Sequence, residues 1–151
     1  MNWDAIGAIG ELLSAVMVLA TLLYLSVQVR LANRTARFET TREVMAQFNA
    51  CNQLFATDAT IRNVVLKTTD LTVEESEQLY SYVDMYCNAW GTVQMAHDQG
   101  LLEDSLFNGA LNDVGVTLER WPTMRQPIER WYNNYPDFKD TEMFKELSKH
   151  L

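Results

Sequence analysis

The sequence predicts an all-α protein, with one N-terminal transmembrane helix followed by a bundle of about five helices. Apolar residues recur every three or four positions along most of the chain, and no segment shows the sustained alternation typical of strands. No glycine or proline interrupts the chain between Gly10 and Gly91. An uncharged apolar run near the N-terminus is long enough to approach the thickness of a bilayer.

The apolar run covers residues 12–29, which carry no charge and include fourteen apolar side chains. As a helix, this run rises about 27 Å. Residues 6–12 can supply what remains of the roughly 30 Å hydrocarbon core. The alternative is a buried helix in a soluble protein, because four polar residues interrupt the apolar pattern: Glu11, Ser14, Thr21 and Gln28.

The residues that flank the run predict its orientation. Arg30, Arg34 and Arg37 follow the run before any acid, and such positive charge marks the cytoplasmic side. Trp3 suits the opposite interface, where tryptophan is enriched. A cleaved signal peptide would carry its positive charge before the apolar run, so a signal anchor fits better. We expect residues 1–37 to anchor the chain, with the N-terminus outside and residues 38–151 in the cytoplasm.

One face of the predicted membrane helix carries small and polar residues. Steps of three or four lead from Glu11 through Ser14, Val18, Thr21 and Leu25 to Gln28, and Gly7 and Gly10 extend the same face. Small residues let membrane helices approach closely, and hydroxyls and amides can bond across the contact. We therefore expect this face to pack against another membrane helix, although Glu11 can also be a hydrated residue near the interface.

Residues 38–151 are acidic, with 9 Lys+Arg against 18 Asp+Glu and a net charge of −9, while the whole chain carries −8. That balance argues against nucleic acid as a partner. We expect the first helix to continue to about Phe55. A short second helix should cover residues 58–67, with its apolar side chains inward. Val44, Phe48, Cys51 and Phe55 are expected on one face of the first, and Ile61, Val64 and Val65 inside the second.

The remaining helices have recognisable start and stop signals. Thr72 and Glu75 form a capping box that begins a long helix, which Gly100 ends. A fourth helix is expected from residue 102 to about 119, a fifth from about 127 to 132, and a last one capped by Asp140. The expected core residues of the third and fourth helices are Leu79, Val83, Tyr86, Trp90, Val93, Leu106, Leu111 and Val114.

The sequence predicts no catalytic residue, cofactor or metal. The glycine-rich phosphate loops are missing, and His97 and His150, the two histidines, stand too far apart for a usual zinc pattern. Cys51 and Cys87 fall on apolar helix faces, which favours small buried side chains. Arginines alternate with aromatic residues between 120 and 135; core packing with arginine over the rings explains this better than a nucleic-acid surface.

The N-terminal segment resembles a group of small bacterial single-pass membrane proteins whose chains begin W-x-x-I-x-A-I-G-E and continue with Y-L-x-x-Q-x-R. The matching positions are Trp3, Ile6, Ala8, Ile9, Gly10, Glu11, Tyr24, Leu25, Gln28 and Arg30. Many members read Q-N-T-R where this chain has L-A-N-R, and the likeness covers about 37 residues. The resemblance implies a bacterial, membrane-anchored, α-helical protein, and it implies nothing catalytic.

These observations predict a non-enzymatic assembly protein. Its transmembrane helix would form a homo-oligomer or join a larger inner-membrane complex as a small subunit. Two alternatives stay open. An oligomer could conduct ions along the Glu11 face, or the helical domain could sense a ligand in a pocket near Trp90, His97 and Trp131.

Overall fold

The computed structural model describes residues 3–67 and 70–151, and every regular element in them is helical. Six α-helices follow one another, with two short 3₁₀ helices before and after the fifth. The elements are α1 (Trp3–Thr57), α2 (Ala59–Leu66), α3 (Val73–Asp98), α4 (Asp104–Arg120), a 3₁₀ turn (Pro122–Met124), α5 (Arg125–Asn134), a second 3₁₀ turn (Pro136–Phe138) and α6 (Glu142–His150). The all-α prediction is confirmed.

The contacts divide the chain into two units, with the division inside α1 after Phe38. The described residues of the first unit, 3–38, form a single helical segment. The second unit, from Glu39 onward, holds the remainder of α1 and the five helices that follow it.

Helix α3 is the centre of the second unit. It packs against α2, α4, α5 and α6. Its buried residues, from Leu79 to Ala96, cover more than half of the helix circumference and include the fully buried Trp90. A helix that is apolar on most sides must be surrounded by others, and this property of α3 explains the bundle arrangement.

The last turns of α1 complete the core beside α3. Val44 and Cys51 are buried at 4% and 1% exposure, and Phe48 and Phe55 are half-buried against the same cluster. The Tyr82 hydroxyl donates to the Cys51 carbonyl over 3.3 Å, and burial raises the pKa of this phenol. The predicted inward face of the first helix after residue 38 is therefore confirmed.

Three predicted helix boundaries are confirmed by their capping contacts. Asp58 accepts from the backbone N–H groups of Thr60 and Ile61 and so caps α2. Thr72 and Glu75 form both bonds of the capping box at the start of α3. Gly100 follows the end of α3 with φ of 68°, a left-handed conformation that glycine adopts without strain.

The core residues of α4 differ in part from the prediction. The helix begins at Asp104 rather than at Leu102. Leu106 and Leu111 are half-buried, while Phe107 and Leu118 are fully inside with Val114. The two leucines pack at the edge of the same core, while the Phe107 ring lies inside it and stacks on His97.

The predicted cap of the last helix is wrong. The residue before α6 is Thr141, and no side chain from Asp140 or Thr141 bonds to the helix N-terminus. Instead, the buried Gln94 of α3 accepts from the Met143 backbone N–H over 2.9 Å. A group 49 positions away in sequence therefore satisfies one of the free N–H groups that every helix start leaves.

Candidate membrane-spanning helix and its polar face

The N-terminal part of α1 is apolar enough to cross a membrane. Among the described helices, α1 alone contains an 18-residue window with the length, low charge and mean hydropathy, 2.1, of a membrane span, and none of that window is buried. Every large apolar side chain described between Trp3 and Phe38 is at least 50% exposed, as Leu25 is, and Met17 reaches 71%. The length and composition of α1 therefore make it a candidate membrane span.

Aromatic and basic residues stand at the two ends of this apolar stretch. Trp3 is 70% exposed, and Arg30 follows 27 residues later, about 40 Å along a helix axis. That spacing equals a hydrocarbon core with its two interfacial layers, roughly 40–45 Å. Arg30, Arg34 and Arg37 are all exposed, and the ion pair described nearby joins the neighbouring Arg42 and Glu39 at 3.0 Å.

The predicted packing face is open along its length. Each of its six small and polar residues is exposed, and a Cβ atom placed on Gly7 or Gly10 would meet nothing within 4 Å. The glycines therefore leave a shallow depression that nothing within the described chain fills. Another helix could approach the backbone closely at this position.

The two hydroxyls on this face bond to their own helix. The Ser14 Oγ donates to the Gly10 carbonyl over 2.8 Å, and the Thr21 Oγ1 donates to the Met17 carbonyl over 2.9 Å. Each hydroxyl proton is thus satisfied without water, as a nonpolar surrounding requires. The oxygen atoms keep acceptor capacity, while the Gln28 amide has both donor and acceptor atoms to offer across a contact.

The arginines lie on roughly the opposite side of the helix. At about 100° per residue, Arg30, Arg34 and Arg37 centre some 170° from the face that contains Gly10 and Ser14. A helix that packed on the small, polar face would leave all three cations pointing away from the contact. The arginine side chains would then face lipid headgroups rather than the neighbouring helix.

The structure does not bring Trp90, His97 and Trp131 to a common described pocket. Trp90 is fully buried, and its Nε1 donates to the Asp113 Oδ2 over 3.3 Å. His97 stacks on Phe107 with 3.9 Å between the ring centres. Trp131 borders a polar cleft of about 180 Å³ that also includes Arg130. None of the described pockets includes all three residues, and the ligand-sensing alternative stays a prediction.

Buried side chains of the bundle have shifted pKa values, and each shift has a structural cause. Desolvation raises the pKa of the Asp113 carboxyl, and the hydrogen bond from Trp90 lowers it by a smaller amount. Burial also raises the pKa of both thiols, most strongly at Cys87. A raised pKa keeps a thiol in its unreactive protonated form, as expected of small core side chains.

Two of the arginines that alternate with aromatic residues lie over aromatic rings. Arg120 lies over the Trp121 ring at 5.0 Å, and Arg130 lies over the Tyr80 ring at 4.5 Å, which confirms the prediction of arginine over aromatic rings. No group of three or more potential metal ligands occurs within residues 3–67 and 70–151.

Sequence reasoning missed an apolar groove on the bundle. Its lining comes from the end of α1, from α2 and from α3, at Leu54, Ile61, Tyr82 and Met85, with a volume of about 340 Å³. The sequence feature that could have indicated the groove is Met85, an apolar residue of α3 that is only partly buried. The groove depends on how three helices pack, which periodicity in one helix does not reveal.

Comparison with protein-family models, curated proteins and solved structures found no significant match. The function is therefore inferred from the chemistry of the described residues.

Proposed function

We propose that this chain is a membrane-anchored, non-enzymatic assembly protein. Its N-terminal helix crosses the bacterial inner membrane, with the N-terminus outside and the acidic helical domain in the cytoplasm. The small, polar face of that helix binds a second membrane helix, either from another copy of the chain or from a larger complex.

The observation that carries this proposal is the exposure of the apolar side chains of α1. Seventeen large apolar residues between Trp3 and Phe38 are at least half exposed. Soluble proteins rarely leave so large a continuous apolar surface in water. A bilayer removes the free-energy cost of exposing these side chains to water, because its hydrocarbon is as apolar as they are.

The charges at the helix ends support the orientation. Positive residues retained on the cytoplasmic side set the direction of insertion, and the arginines follow the apolar stretch. The domain from Glu39 onward carries 9 basic and 18 acidic side chains. An anionic membrane surface repels such a domain, so the exposed arginines would be the main electrostatic attachment to the membrane.

The open glycines support a helix–helix contact. Lipid alone gives no reason for glycine at two positions of a spanning helix, since a larger apolar residue would serve as well. Close approach of a second backbone uses the missing side chains. Ser14 and Gln28 on the same face can then exchange hydrogen bonds with the neighbour.

The test is cysteine cross-linking in native membranes. Ser14→Cys places a thiol on the polar face, and Val16→Cys places one about 160° away at nearly the same depth. We expect oxidation to link the Ser14→Cys chain into a larger species and to leave the Val16→Cys chain monomeric. The parent chain is a further control, because its Cys51 and Cys87 are buried.

The mass of the linked species identifies the partner. A product of twice 17.4 kDa indicates a second copy, whereas any other mass indicates a different subunit, which mass spectrometry then names. For a partner without a cysteine at that depth, a bifunctional thiol-to-amine reagent replaces oxidation. Equal cross-linking from both positions, or none from either, would contradict the proposed face.

A further inference from the structure

The apolar groove of the bundle has a shape suited to a helix. One face of α3 lines it from Glu74 to Met85, a span of about 16 Å or three helical turns. Leu54 and Ile61 form the opposite wall. A long apolar depression between helices is the usual receiving surface for an amphipathic helix.

The rim of the groove is acidic. Glu74 and Glu77 border it, and none of its lining residues is a lysine or an arginine. Neither glutamate takes part in an ion pair within the described residues, whereas the adjacent Glu75 is held by Lys67 at 2.5 Å. The two rim carboxylates are exposed and free to meet cations from outside.

We propose that this groove binds an amphipathic helix of another protein that carries lysine or arginine beside its apolar face. The apolar face would cover Leu54, Ile61 and Met85, and the cations would reach Glu74 and Glu77. Met85 suits such a surface, because its flexible thioether adapts to the shape of an incoming side chain. The proposal does not depend on whether α1 crosses a membrane.

The negative charge of the domain favours a cationic helix in the groove over a second copy of the chain or anionic lipid. A second copy would bring a domain with net charge −9 towards an acidic rim, which repulsion disfavours. Anionic lipid headgroups would meet the same repulsion. A cationic helix gains attraction from the rim and from the whole domain, which would also speed its encounter with the groove.

The first test is photo-cross-linking of the full chain in cells. A photoreactive phenylalanine analogue replaces Gln78 at the groove, and the same analogue replaces Met95 on another part of α3 as the matched control. We expect protein adducts from position 78 alone, with the cross-linked segment spacing apolar residues by three or four and enriched in lysine or arginine. Adducts to a second copy or to lipid, equal adducts from both positions, or no adducts would overturn the proposal.

The second test measures affinity directly with the full chain in neutral phosphatidylcholine nanodiscs. The probe is a fluorescent peptide of about four helical turns with leucines on one face and lysines on the other. Its control is a scrambled peptide of equal composition. We expect the patterned peptide to bind at least about tenfold more tightly, because only it presents a continuous apolar face.

Substitutions in the full chain test whether the peptide binds at the groove, and unfolding measurements test whether each variant still folds. Met85→Lys should weaken binding about tenfold, as loss of a central apolar contact does, while Met85→Leu and Met95→Lys should change it less than about twofold. Removing both rim charges with Glu74→Gln and Glu77→Gln should weaken binding at low salt and make little difference at high salt. Equal binding of the two peptides, or equal effects of Met85→Lys and Met95→Lys, would contradict the proposal. Thermal unfolding of each variant shows that its bundle is intact.

Discussion

The two units of this chain treat the same kinds of side chain in opposite ways. Leu118 on α4 is fully buried, whereas Leu22 on α1 is 57% exposed. Trp90 has no exposed surface, whereas Trp3 is 70% exposed. The difference does not arise from residue type; it arises from what surrounds the helix.

Apolar side chains are buried where the chain itself supplies neighbouring helices to cover them. From Glu39 onward, α3 provides a centre around which four other helices pack, so leucine and tryptophan leave water on folding. The described residues 3–38 form one helix with no buried residue. The apolar surface of that helix then needs lipid or another chain, and we propose both.

Polar groups in the two units are satisfied differently as well. The buried Gln94 bonds to a distant helix through Met143 and to the nearby Asp98 at 2.8 Å. Ser14 and Thr21 bond to carbonyls four residues back in their own helix. Internal satisfaction lets a hydroxyl enter a nonpolar medium without a partner already in place.

The largest expected effect tests the difference in burial. Leu118→Ala removes a fully buried side chain and should lower the free energy of unfolding of the bundle by about 2–5 kcal/mol. Leu22→Ala, the same substitution in the first unit, should change that free energy by less than about 0.5 kcal/mol. Urea unfolding of the full chain in mild detergent, followed by tryptophan fluorescence, measures both. Similar losses would contradict the division into two environments.

A matched charge substitution tests which medium surrounds each exposed valine. Val16 is 55% exposed and lies midway between Trp3 and Arg30, and Val116 on α4 is 51% exposed. Val16→Arg should disfavour membrane insertion by about 2.5–3.5 kcal/mol, the cost of arginine at the centre of a spanning helix. Val116→Arg should have no effect, because water solvates the new charge.

Carbonate extraction of membranes, with quantification of the pellet, measures the fraction of each variant inserted. If Val16→Arg remained in the pellet as fully as the parent chain and the Val116→Arg chain, the membrane assignment of α1 would lose its support.

A smaller effect should separate buried from exposed hydrogen bonds. Gln94→Leu leaves the Met143 N–H without its partner and should cost about 1–3 kcal/mol of unfolding free energy. Gln126, which accepts from the Tyr80 hydroxyl at an exposed site, is the control. Gln126→Leu should cost less than about 0.5 kcal/mol, because water can replace it. Amide hydrogen exchange at Met143 gives a direct second measurement, which should accelerate in Gln94→Leu alone.

The smallest expected effect is a pH dependence that originates in the bundle. Burial raises the folded-state pKa of Asp113, so the folded chain holds this proton more tightly than the unfolded chain does. The contribution of Asp113 to stability is therefore present at low pH and is lost as the pH rises from about 4 through the raised pKa. Asp113→Asn has no proton to lose and should flatten this part of the stability profile. Equal slopes for the two chains in urea titrations at several pH values would show that the carboxyl does not contribute.

The sequence by itself determined the features that depend on neighbours a few residues apart. The start of α2 near Asp58, the capping box at Thr72, the turn at Gly100 and the apolar stretch of α1 could all be predicted, since each depends on residues within one or two helical turns. The polar face could be predicted for the same reason, because helix periodicity alone places Gly10 and Ser14 together.

Tertiary structure alone decided the features that need distant segments. Gln94 caps α6 in place of the expected Asp140, Phe107 is more deeply buried than the expected Leu106, and the groove beside Met85 forms where three helices meet. Each outcome depends on the shape and hydrogen-bonding needs of groups far apart in the chain. Local periodicity sets which face of a helix is apolar, but close packing and the pairing of buried polar atoms decide which side chain on that face fills the space.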